Sequence, residues 1–491
     1  MFFFLLCGCA AMHPAPSPVP PDSGISNSSS GGGPPESNTF QQVLTDSEQS
    51  PAGMPAESGD DAASDQYATP DAVLVTEAPL TLDAAIKAAM ANNPEVAAAK
   101  WDSAAALARK DRAAGQRLPD IGLSGDYTHR LDRERVIPTR REGEPGAFSR
   151  SVASAEVVLS VPVYTGGRLY SEVQAAELLR EEARRNHVRT RQALVFDVSS
   201  VFFRILAQRS VIESLEVSEK ALEEHLRQTE EWIALEKAAP VDRMRTEVRM
   251  AELRQDFVRE TNLLSIQHRI LANLMGLPGR AGRIEPAGEL EEKMVFDLPD
   301  ADDALETAKR NRQDFLAAKA AAEAHAKKVD AAKGDRWPVI SLEGAYGGRR
   351  ALGSVSGPGD DSGDTGRIGV AMEMPLFQGG SVDASIRENR AEYAAARQRL
   401  RSLEHRIALE VETAVLDVQA ADEQVRAGRT TVALARETLR IEQEKYAAGT
   451  ASVADVLDAQ AALLDAEKTY YRALAEFRTA VARLHLAMGE I

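Results

Sequence analysis

The sequence is poor in aromatic residues and in cysteine. Phe, Trp and Tyr make up 5% of the 491 residues, and the only two cysteines, Cys7 and Cys9, stand at the extreme N-terminus. The body of the chain therefore offers no cysteine for a disulfide or a metal cluster. Long apolar runs are also missing, so the sequence predicts no transmembrane helix. Ala, Glu, Arg and Leu at regular apolar spacing dominate instead, which is typical of long helices and coiled coils.

Positive charge is in deficit. Lys plus Arg number 58 against 75 Asp plus Glu, which gives a net charge of −17. Nucleic acid is therefore not an expected partner, because binding to phosphates needs a basic face. The eight histidines show no metal-ligand spacing, and neither a Walker loop nor a dinucleotide glycine fingerprint occurs. We expect no enzyme activity, no cofactor and no metal site.

The N-terminus resembles a bacterial lipoprotein signal, with an apolar run and Gly8 directly before Cys9. This arrangement suits lipid attachment to the thiol followed by cleavage. We expect residues 1–8 to be the signal and Cys9 to be the lipid anchor; the alternative is a chance apolar start with two idle cysteines. Residues 9–76 are rich in Pro, Ser, Gly, Asp and Ala, and we expect a disordered tether because they cannot bury a core.

The remainder of the chain is a tandem duplication. Residues of the first half recur at an offset of 219, which becomes 213 farther along. Pairs at the first offset include Ile86/Leu305, Asn92/Asn311, Pro119/Pro338 and Tyr127/Tyr346. At the second offset, the segment 162–167 matches 375–380, and both end in Gly-Gly. The change of offset falls between Tyr127 and Pro162, where a loop absorbs it.

Each copy has the same internal order of two helices, a strand pair and a long helical hairpin. The first repeat is expected at 77–276, the second at 301–491, and an equatorial linker between them at 277–300. Pro119 and Pro338 each end a helix. The expected bounds in the first copy are helices 82–91 and 94–117, strand pair 121–163 and hairpin 168–276. In the second they are helices 301–311 and 313–335, strand pair 339–376 and hairpin 381–488.

The strand segments alternate between apolar and polar side chains, as in Ile121, Leu123 and Tyr127 on one face. Polar loops are expected within the strand pairs, at about 128–151 and 347–366. One apolar face and about ten residues per strand suit a membrane β-strand. A soluble hairpin packed on a core would show the same alternation. The opposite face carries four acidic residues: Asp126, Glu156, Glu343 and Glu373.

A heptad seam follows each Gly-Gly. Apolar residues recur in alternating steps of three and four, which predicts a left-handed supercoil. In the second copy the seam includes Leu403, Ile407, Val411, Ala414, Val418, Ala421, Val425 and Tyr446; in the first it includes Leu194, Val198, Val201, Ile205, Leu215, Leu222 and Ile233. The helix after Gly380 would be about 100 Å long at about 1.5 Å per residue. A tube across a compartment needs such a length, whereas a compact domain does not.

This arrangement resembles the TolC-like outer-membrane efflux family over about residues 80–490. The most specific likeness is the segment 446–459, which is similar to the family's Y-x-x-G-T-x-x-x-x-D-V-L-D turn. The resemblance implies that this turn lies at the periplasmic tip, lines the closing aperture and contacts an adaptor protein. The sequence departs from the family at Ala451, where members often carry Arg. The first tip also differs, with neither Tyr nor Gly at the matching places.

The residues that the resemblance assigns to the tips form two groups. The aperture group is Asp455, Asp458 and, in the first hairpin, Asp242; the adaptor-contact group is Tyr446, Gly449 and Thr450. Gly449 also suits a turn that stops the long helix. Rings of carboxylates around an axis would attract cations. The alternative is that these aspartates only charge helix N-termini, where acidic residues are favoured.

A single chain supplies four strands, whose open edges would leave backbone groups unpaired in lipid. Three chains supply twelve strands, an even number that allows closure, and the resemblance implies the same homotrimer. The expected fold is mainly α with a membrane β portion: long antiparallel helical hairpins in an α-barrel, and four β-strands per subunit in a trimeric twelve-stranded β-barrel. The apolar strand faces would meet outer-membrane lipid, and Asp126, Glu156, Glu343 and Glu373 would face the lumen.

The resemblance implies a lipid-anchored channel in the outer membrane of a Gram-negative bacterium, extending into the periplasm. Its expected role is a passive, gated conduit that exports small molecules, drugs or metal ions, in a tripartite efflux system. The expected partners are a periplasmic adaptor (membrane fusion) protein and an inner-membrane resistance-nodulation-division (RND) or ABC pump. Two alternatives stay open: the duct of type I protein secretion, and a periplasmic coiled-coil scaffold lipoprotein.

Overall fold

The structure, a computed structural model, describes residues 80–137, 147–236, 238–290, 296–353 and 362–491, all within one unit, Thr69–Ile491. The proposed signal, Cys9 and the tether lie outside the described residues. The elements in chain order are α1 (Leu82–Asn92), α2 (Pro94–Gly115), β1 (Asp120–Ile137), β2 (Ala147–Thr165), α3 (Arg168–Ala234), α4 (Pro240–Leu274), a 3₁₀ helix (Pro278–Arg283), α5 (Ala301–Asn311), α6 (Gln313–Gly334), β3 (Val339–Leu352), β4 (Ser362–Glu373), α7 (Ser381–Ala447) and α8 (Val453–Met488).

The duplication and the two long hairpins are confirmed. Helices α3 and α7 have 67 residues each, so both are about 100 Å long. Their return helices, α4 and α8, have 35 and 36 residues. Gly167 and Gly380 precede the two long helices in the left-handed conformation, with φ of 82° and 80°. This conformation suits glycine, which has no Cβ to clash with the backbone.

The middle parts of the two heptad seams are buried as expected, whereas Leu403, Tyr446 and Ile233 are half-buried. In α7 the buried seam residues are Ile407, Val411, Ala414, Val418, Ala421 and Val425; in α3 they are Leu194, Val198, Val201, Ile205, Leu215 and Leu222. One core joins α7 to α8, a second joins α1, α3 and α4, and a third lies between the hairpins around Leu215, Leu253 and Leu457. Burial of these stripes, rather than helix propensity, stabilises helices of this length.

The helices lie side by side in a row. Near the sheet the order of contacts is α2, α3, α6, α7, and toward the tips it is α4, α3, α8, α7. The two long helices therefore run through both levels, and α4 and α7 form the edges at the tip level. None of the described helices combines the length and the apolar character needed to cross a membrane.

Equivalent joints connect the short helices of each repeat to the end of its return helix. Asn93, between α1 and α2, donates a hydrogen bond to the carbonyl of Leu274 at 2.9 Å. At the corresponding place in the second repeat, Arg312 donates to the carbonyl of Ala487 at 3.4 Å. The buried Arg312 side chain also bonds Asp314 and Glu410, each at 2.7 Å, and these two carboxylates are 24% and 43% exposed. The joint is thus present in both repeats, but its polar side chain is an asparagine in the first and an arginine in the second.

The four strands form one antiparallel sheet in the order β1-β2-β3-β4. They are longer than expected, with 18, 19, 14 and 12 residues. The predicted loops at 128–151 and 347–366 were too long, because β1 continues to Ile137, β2 begins at Ala147, β3 continues to Leu352 and β4 begins at Ser362. Side-chain alternation fails there, but hydrogen bonds between strands need no apolar face.

The linker between the repeats is partly ordered against the first repeat. Leu80 accepts a backbone hydrogen bond from Ala287 and donates one to Glu285. Leu277 and Ile284 are buried in the core of the first repeat. Phe296 and Leu298, at the other end of the linker, pack instead against the core of α7 and α8, so the described parts of the linker contact both repeats.

Candidate functional site

The tip of the second hairpin is a tight turn closed by Gly449. This residue has a left-handed φ of 74°. The N–H of Gly449 donates to the carbonyl of Tyr446, and the N–H of Thr450 donates to the carbonyl of Lys445, each at 2.9 Å. The Thr450 hydroxyl also donates to Lys445 at 3.0 Å. These bonds satisfy carbonyls that the end of α7 would otherwise leave open.

Asp455 caps the start of α8. Its Oδ2 accepts from both the N–H and the hydroxyl of Ser452 at 2.8 Å, and its own N–H donates to the Ser452 hydroxyl at 3.3 Å. These hydrogen bonds lower the pKa of Asp455. Asp458, three residues later, is exposed beside the same turn of the helix. Asp455 therefore has the helix-start role that was the alternative interpretation. These hydrogen bonds use only its Oδ2 and leave Oδ1 available.

The first tip reproduces this geometry with unlike residues. Glu236 occupies the left-handed position with φ of 58°, the only described residue other than glycine with positive φ. Pro240 begins α4, which suits a residue without an N–H. The carboxylate of Asp242 accepts from the N–H of Ala239 at 3.3 Å. Asp242 therefore stands at the same helix-start position as Asp455.

Tyr446 lies between the two hairpins. Its ring packs against His225 and Trp232 of α3, with centroid separations of 5.4 and 5.0 Å. Burial raises the pKa of Tyr446, the Thr229 side chain opposes this, and the charge of Asp242 adds to it. Burial also lowers the pKa of His225. The structure thus packs Tyr446 of the second hairpin against α3 of the first, and Asp242 is near enough for its charge to act on the phenol.

Sequence reasoning missed His225 and Trp232. They are seven residues apart on α3, and this single heptad step is the only sequence signal that they share. The residues around them in the sequence do not indicate that they pack against Tyr446, more than two hundred positions away. The contact depends on how the two hairpins pack side by side.

Ion pairs connect the two return helices farther from the tips. The ammonium of Lys468 lies 2.7 Å from Asp256, and the Arg472 guanidinium lies 3.2 Å from both carboxylate oxygens of Glu260. Glu260 is 1% exposed and also accepts from Gln208 of α3 at 2.7 Å. Burial alone would raise the pKa of Glu260, but the hydrogen bond from Gln208 and the nearby arginines leave it lowered. These partners lie 212 residues apart, so no sequence pattern marks them.

The sheet has one apolar face. Register places Leu123 opposite Val157, and Val157 opposite Tyr346. Eight large side chains on this face are 50–81% exposed: Ile121, Leu123, Tyr127, Val157, Tyr346, Ile368, Val370 and Met372. An exposed apolar surface of this extent marks contact with lipid or with another protein.

The other side of the sheet is its polar face. Register and alternation place Asp126, Glu156, Glu343 and Glu373 on it together. Asp126 accepts a hydrogen bond from Ser154, and Glu343 accepts one from Ser341 at 3.4 Å. Glu156 bonds Arg367 at 2.7 Å. Across the described ranges, no group of three or more His, Cys, Asp or Glu side chains is arranged to hold a metal ion.

Comparison with known proteins gives consistent matches along the described chain. The family model described as outer membrane efflux protein matches residues 85–277 and 304–490. The chain is 23% identical over 403 residues to the outer membrane protein TolC of Vibrio cholerae, covering 82% of this chain and 88% of that protein. It is 22% identical over 392 residues to TolC of Escherichia coli K12, covering 77% and 76%.

Solved structures show the same fold. The outer membrane protein VceC of Vibrio cholerae superposes with a TM-score of 0.71 at 20% identity, covering 83% of this chain and 96% of that one. The CmeC outer membrane channel of Campylobacter jejuni superposes with a TM-score of 0.72 at 15% identity, covering 83% and 85%. At these identities, the likeness supports the architecture of long hairpins and a four-stranded sheet.

Proposed function

This chain belongs to the outer membrane efflux protein family, since the family model matches both of its halves, and on that premise we propose that it is one subunit of an outer-membrane channel. The channel would be a passive, gated conduit of a tripartite efflux system. It would pass small molecules (drugs or metal ions) to the exterior. It would receive them from a periplasmic adaptor and an inner-membrane RND or ABC pump. The observation that carries the proposal is the union of two 67-residue helices with a sheet whose apolar face is exposed.

The open sheet favours a homotrimer. Strands β1 and β4 are its edges, and their unpaired backbone groups would each cost several kcal/mol in lipid. Three copies would pair every edge in a closed twelve-stranded barrel, with lipid on the apolar face and water on the polar face. Asp126, Glu156, Glu343 and Glu373 would then face the lumen. Such closure cannot be reached by one chain.

The edges of the helical row support the same assembly. Helix α4 is an edge at the tip level, and a stripe of its apolar side chains is 44–68% exposed: Val241, Met244, Val248, Val258, Ile266 and Ile270. Helix α7, at the other edge, exposes Leu409, Leu416, Leu434 and Ile441. Seams of this kind bury themselves against a neighbouring helix. In a ring of three copies, the α4 edge of one subunit would meet the α7 edge of the next.

The tips would then surround the periplasmic aperture. We assign the aperture to Asp455, Asp458 and Asp242, and the adaptor contact to Tyr446, Gly449 and Thr450. Asp455 and Asp458 are exposed at the beginning of α8, at the end of the hairpin away from the sheet. Three copies would gather their carboxylates around one axis, where they would attract cations. Ala451 supplies no charge there, so any lock on the closed state must use other residues.

The lipid anchor at Cys9 belongs to the same proposal. Acylation there would hold the chain to the outer membrane and leave the helical hairpins in the periplasm. Metabolic labelling with palmitate tests this, with Cys9→Ser as the variant and Cys7→Ser as the matched control. We expect label in the wild type and in the Cys7 variant only. Label in the Cys9 variant would contradict the assignment.

Reconstitution of the purified full chain into planar bilayers tests the conduit. We expect a trimer that resists dissociation by detergent at room temperature and carries current in steps of uniform size. A monomer that stays soluble without detergent and carries no current would instead favour a periplasmic scaffold. Efflux and type I secretion share this geometry, and deletion of the gene separates them. Raised sensitivity to drugs or metals indicates efflux, and the loss of a secreted protein indicates secretion.

A further inference from the structure

An ion pair spans three strands on the polar face. Glu156 stands on β2 with its Cα opposite Gly347 of β3, yet its carboxylate bonds to β4. Its Oε2 accepts from Nη1 of Arg367 at 2.7 Å, and its Oε1 accepts from the Thr365 hydroxyl at 3.1 Å. The Glu156 side chain is 15% exposed, whereas that of Arg367 is 68% exposed. The guanidinium therefore covers the carboxylate on its solvent side.

Gly347 makes this crossing possible. A Cβ at this position would lie 2.5 Å from the Cα of Glu156 and would also overlap the carbonyl of Ala155. Any side chain on β3 here would therefore push the Glu156 strand away and close the path to β4. With glycine, the carboxylate reaches over the bare backbone to Arg367. The pair is thus built by three strands rather than by a chance surface contact.

The charges on the polar face divide into two zones along the strands. Toward the helices, Asp120 and Glu343 lie in one cross-strand row, both opposite Ser160, and Glu373 lies nearer the helices on β4. Farther along, acids and arginines alternate. Arg367 pairs with Glu156. Arg349 lies in the same cross-strand row as Asp126, because Asp126 and Arg349 each stand opposite Ser154. The first zone is acidic, and the second carries balanced charge.

We propose that Glu156 is a selectivity-determining residue of the strand-lined part of the channel. It neutralises Arg367, so that three copies of this ion pair present no positive ring to solutes, and cations pass from the acidic zone without meeting a barrier. The inference rests on the proposed trimer with its polar face inward. Without Glu156, three uncompensated guanidinium groups would attract small anions and repel cations.

Reversal potentials of bilayer-reconstituted trimers in a KCl gradient test the proposal. At about 10 mM salt the Debye length is about 30 Å, so charges on the wall act across the lumen. We expect Glu156→Gln to lower the K⁺ over Cl⁻ permeability ratio by about twofold or more. Arg367→Gln should raise the ratio, and the double variant should return it to the wild-type value. Glu343→Gln, in the acidic zone, should lower the ratio whether or not Arg367 is present.

The outcomes separate the inference from its premise. An intact Glu156→Gln trimer with the wild-type ratio, or a double variant that behaves like Glu156→Gln, would overturn the role of Glu156. If Glu156→Gln fails to assemble, Arg367→Gln carries the test, because an unchanged ratio there is equally contrary. Wild-type trimers without any current would refute the conduit itself, and the inference with it.

Discussion

Glu236 in the first hairpin and Gly449 in the second occupy the same left-handed backbone position, with φ of 58° and 74°. They stand 213 residues apart, at equivalent points of the duplicated hairpin. For glycine this conformation has no steric cost, but for a residue with a Cβ it costs on the order of 1 kcal/mol. The first tip therefore holds strain that the second does not.

Relief of this strain should stabilise the first tip. We expect Glu236→Gly to raise the free energy of unfolding by up to about 1 kcal/mol per subunit, partly offset by the greater freedom of glycine in the unfolded chain. Gly449→Ala should have the opposite effect. Thermal denaturation of the trimer followed by circular dichroism measures both, with Glu231→Gly, inside α3, as a control that should destabilise. A Glu236→Gly variant that melts below the wild type would contradict the strain.

Arg312 should be far more important than the surface ion pairs. It is 1% exposed and bonds Asp314, Glu410 and a helix carbonyl. Its replacement would remove charge-assisted hydrogen bonds to two carboxylates that are 24% and 43% exposed, and hydrogen bonds to charged groups are worth about 1.5–3 kcal/mol. We expect this loss for Arg312→Ala in denaturant titrations. Lys309→Ala, which breaks the exposed pair with Glu306, should change stability by less than about 1 kcal/mol. Equal effects of the two substitutions would contradict a special role of Arg312 at this joint.

The same joint should be sensitive to acid. Burial would raise the pKa of Asp314, but the hydrogen bonds and charge of Arg312 outweigh it, so its pKa lies below the ordinary 3.8. Because the folded-state pKa is the lower one, the stabilisation is complete above about pH 4 and is lost as pH falls through the folded value. We expect the melting temperature to fall steeply below about pH 4, and less steeply in Asp314→Asn. Parallel profiles for the two proteins would exclude Asp314 as a cause.

The two aspartates at the second tip can be separated by their hydrogen bonds. Both are exposed, but Asp455 caps the start of α8 through hydrogen bonds with Ser452, whereas Asp458 lies three residues farther along the helix. Asp455→Ala should speed amide exchange at the start of α8, and Asp455→Asn should do so less because it keeps an acceptor oxygen. If both residues ring the aperture, Asp455→Asn and Asp458→Asn should each weaken block by multivalent cations. Unchanged block in both would leave Asp455 with a capping role only.

The apolar edge of α4 should be required for assembly. Val248 is 59% exposed on this edge, and a charge there would be buried against the neighbouring subunit. We expect Val248→Glu to abolish the trimer in size-exclusion chromatography with light scattering. Val217 is 63% exposed on α3, which has neighbouring helices on both sides, so Val217→Glu should leave the trimer intact. A trimeric Val248→Glu protein would exclude this edge as an interface.

The repeats, the helices and the strand faces could be predicted from the sequence because each is a periodic property of nearby residues. Steps of three and four placed Ile407, Val411 and Val418 in a buried seam, and alternation placed Glu156 and Glu343 on one face. The strand ends could not be predicted, since alternation stops near residue 128 while backbone pairing continues to Ile137. Hydrogen bonds between strands depend on register, which is independent of side-chain polarity there.

Only the tertiary structure decided which distant residues meet. The pairing of Glu156 with Arg367, of Lys468 with Asp256, and of Tyr446 with His225 joins residues about 210 or more positions apart. Each requires the two repeats to lie side by side in a particular register, and that register is set by packing along the whole length of the hairpins. By itself the sequence determined two hairpin units and their faces. Their contacts arise from burial that neither unit achieves alone.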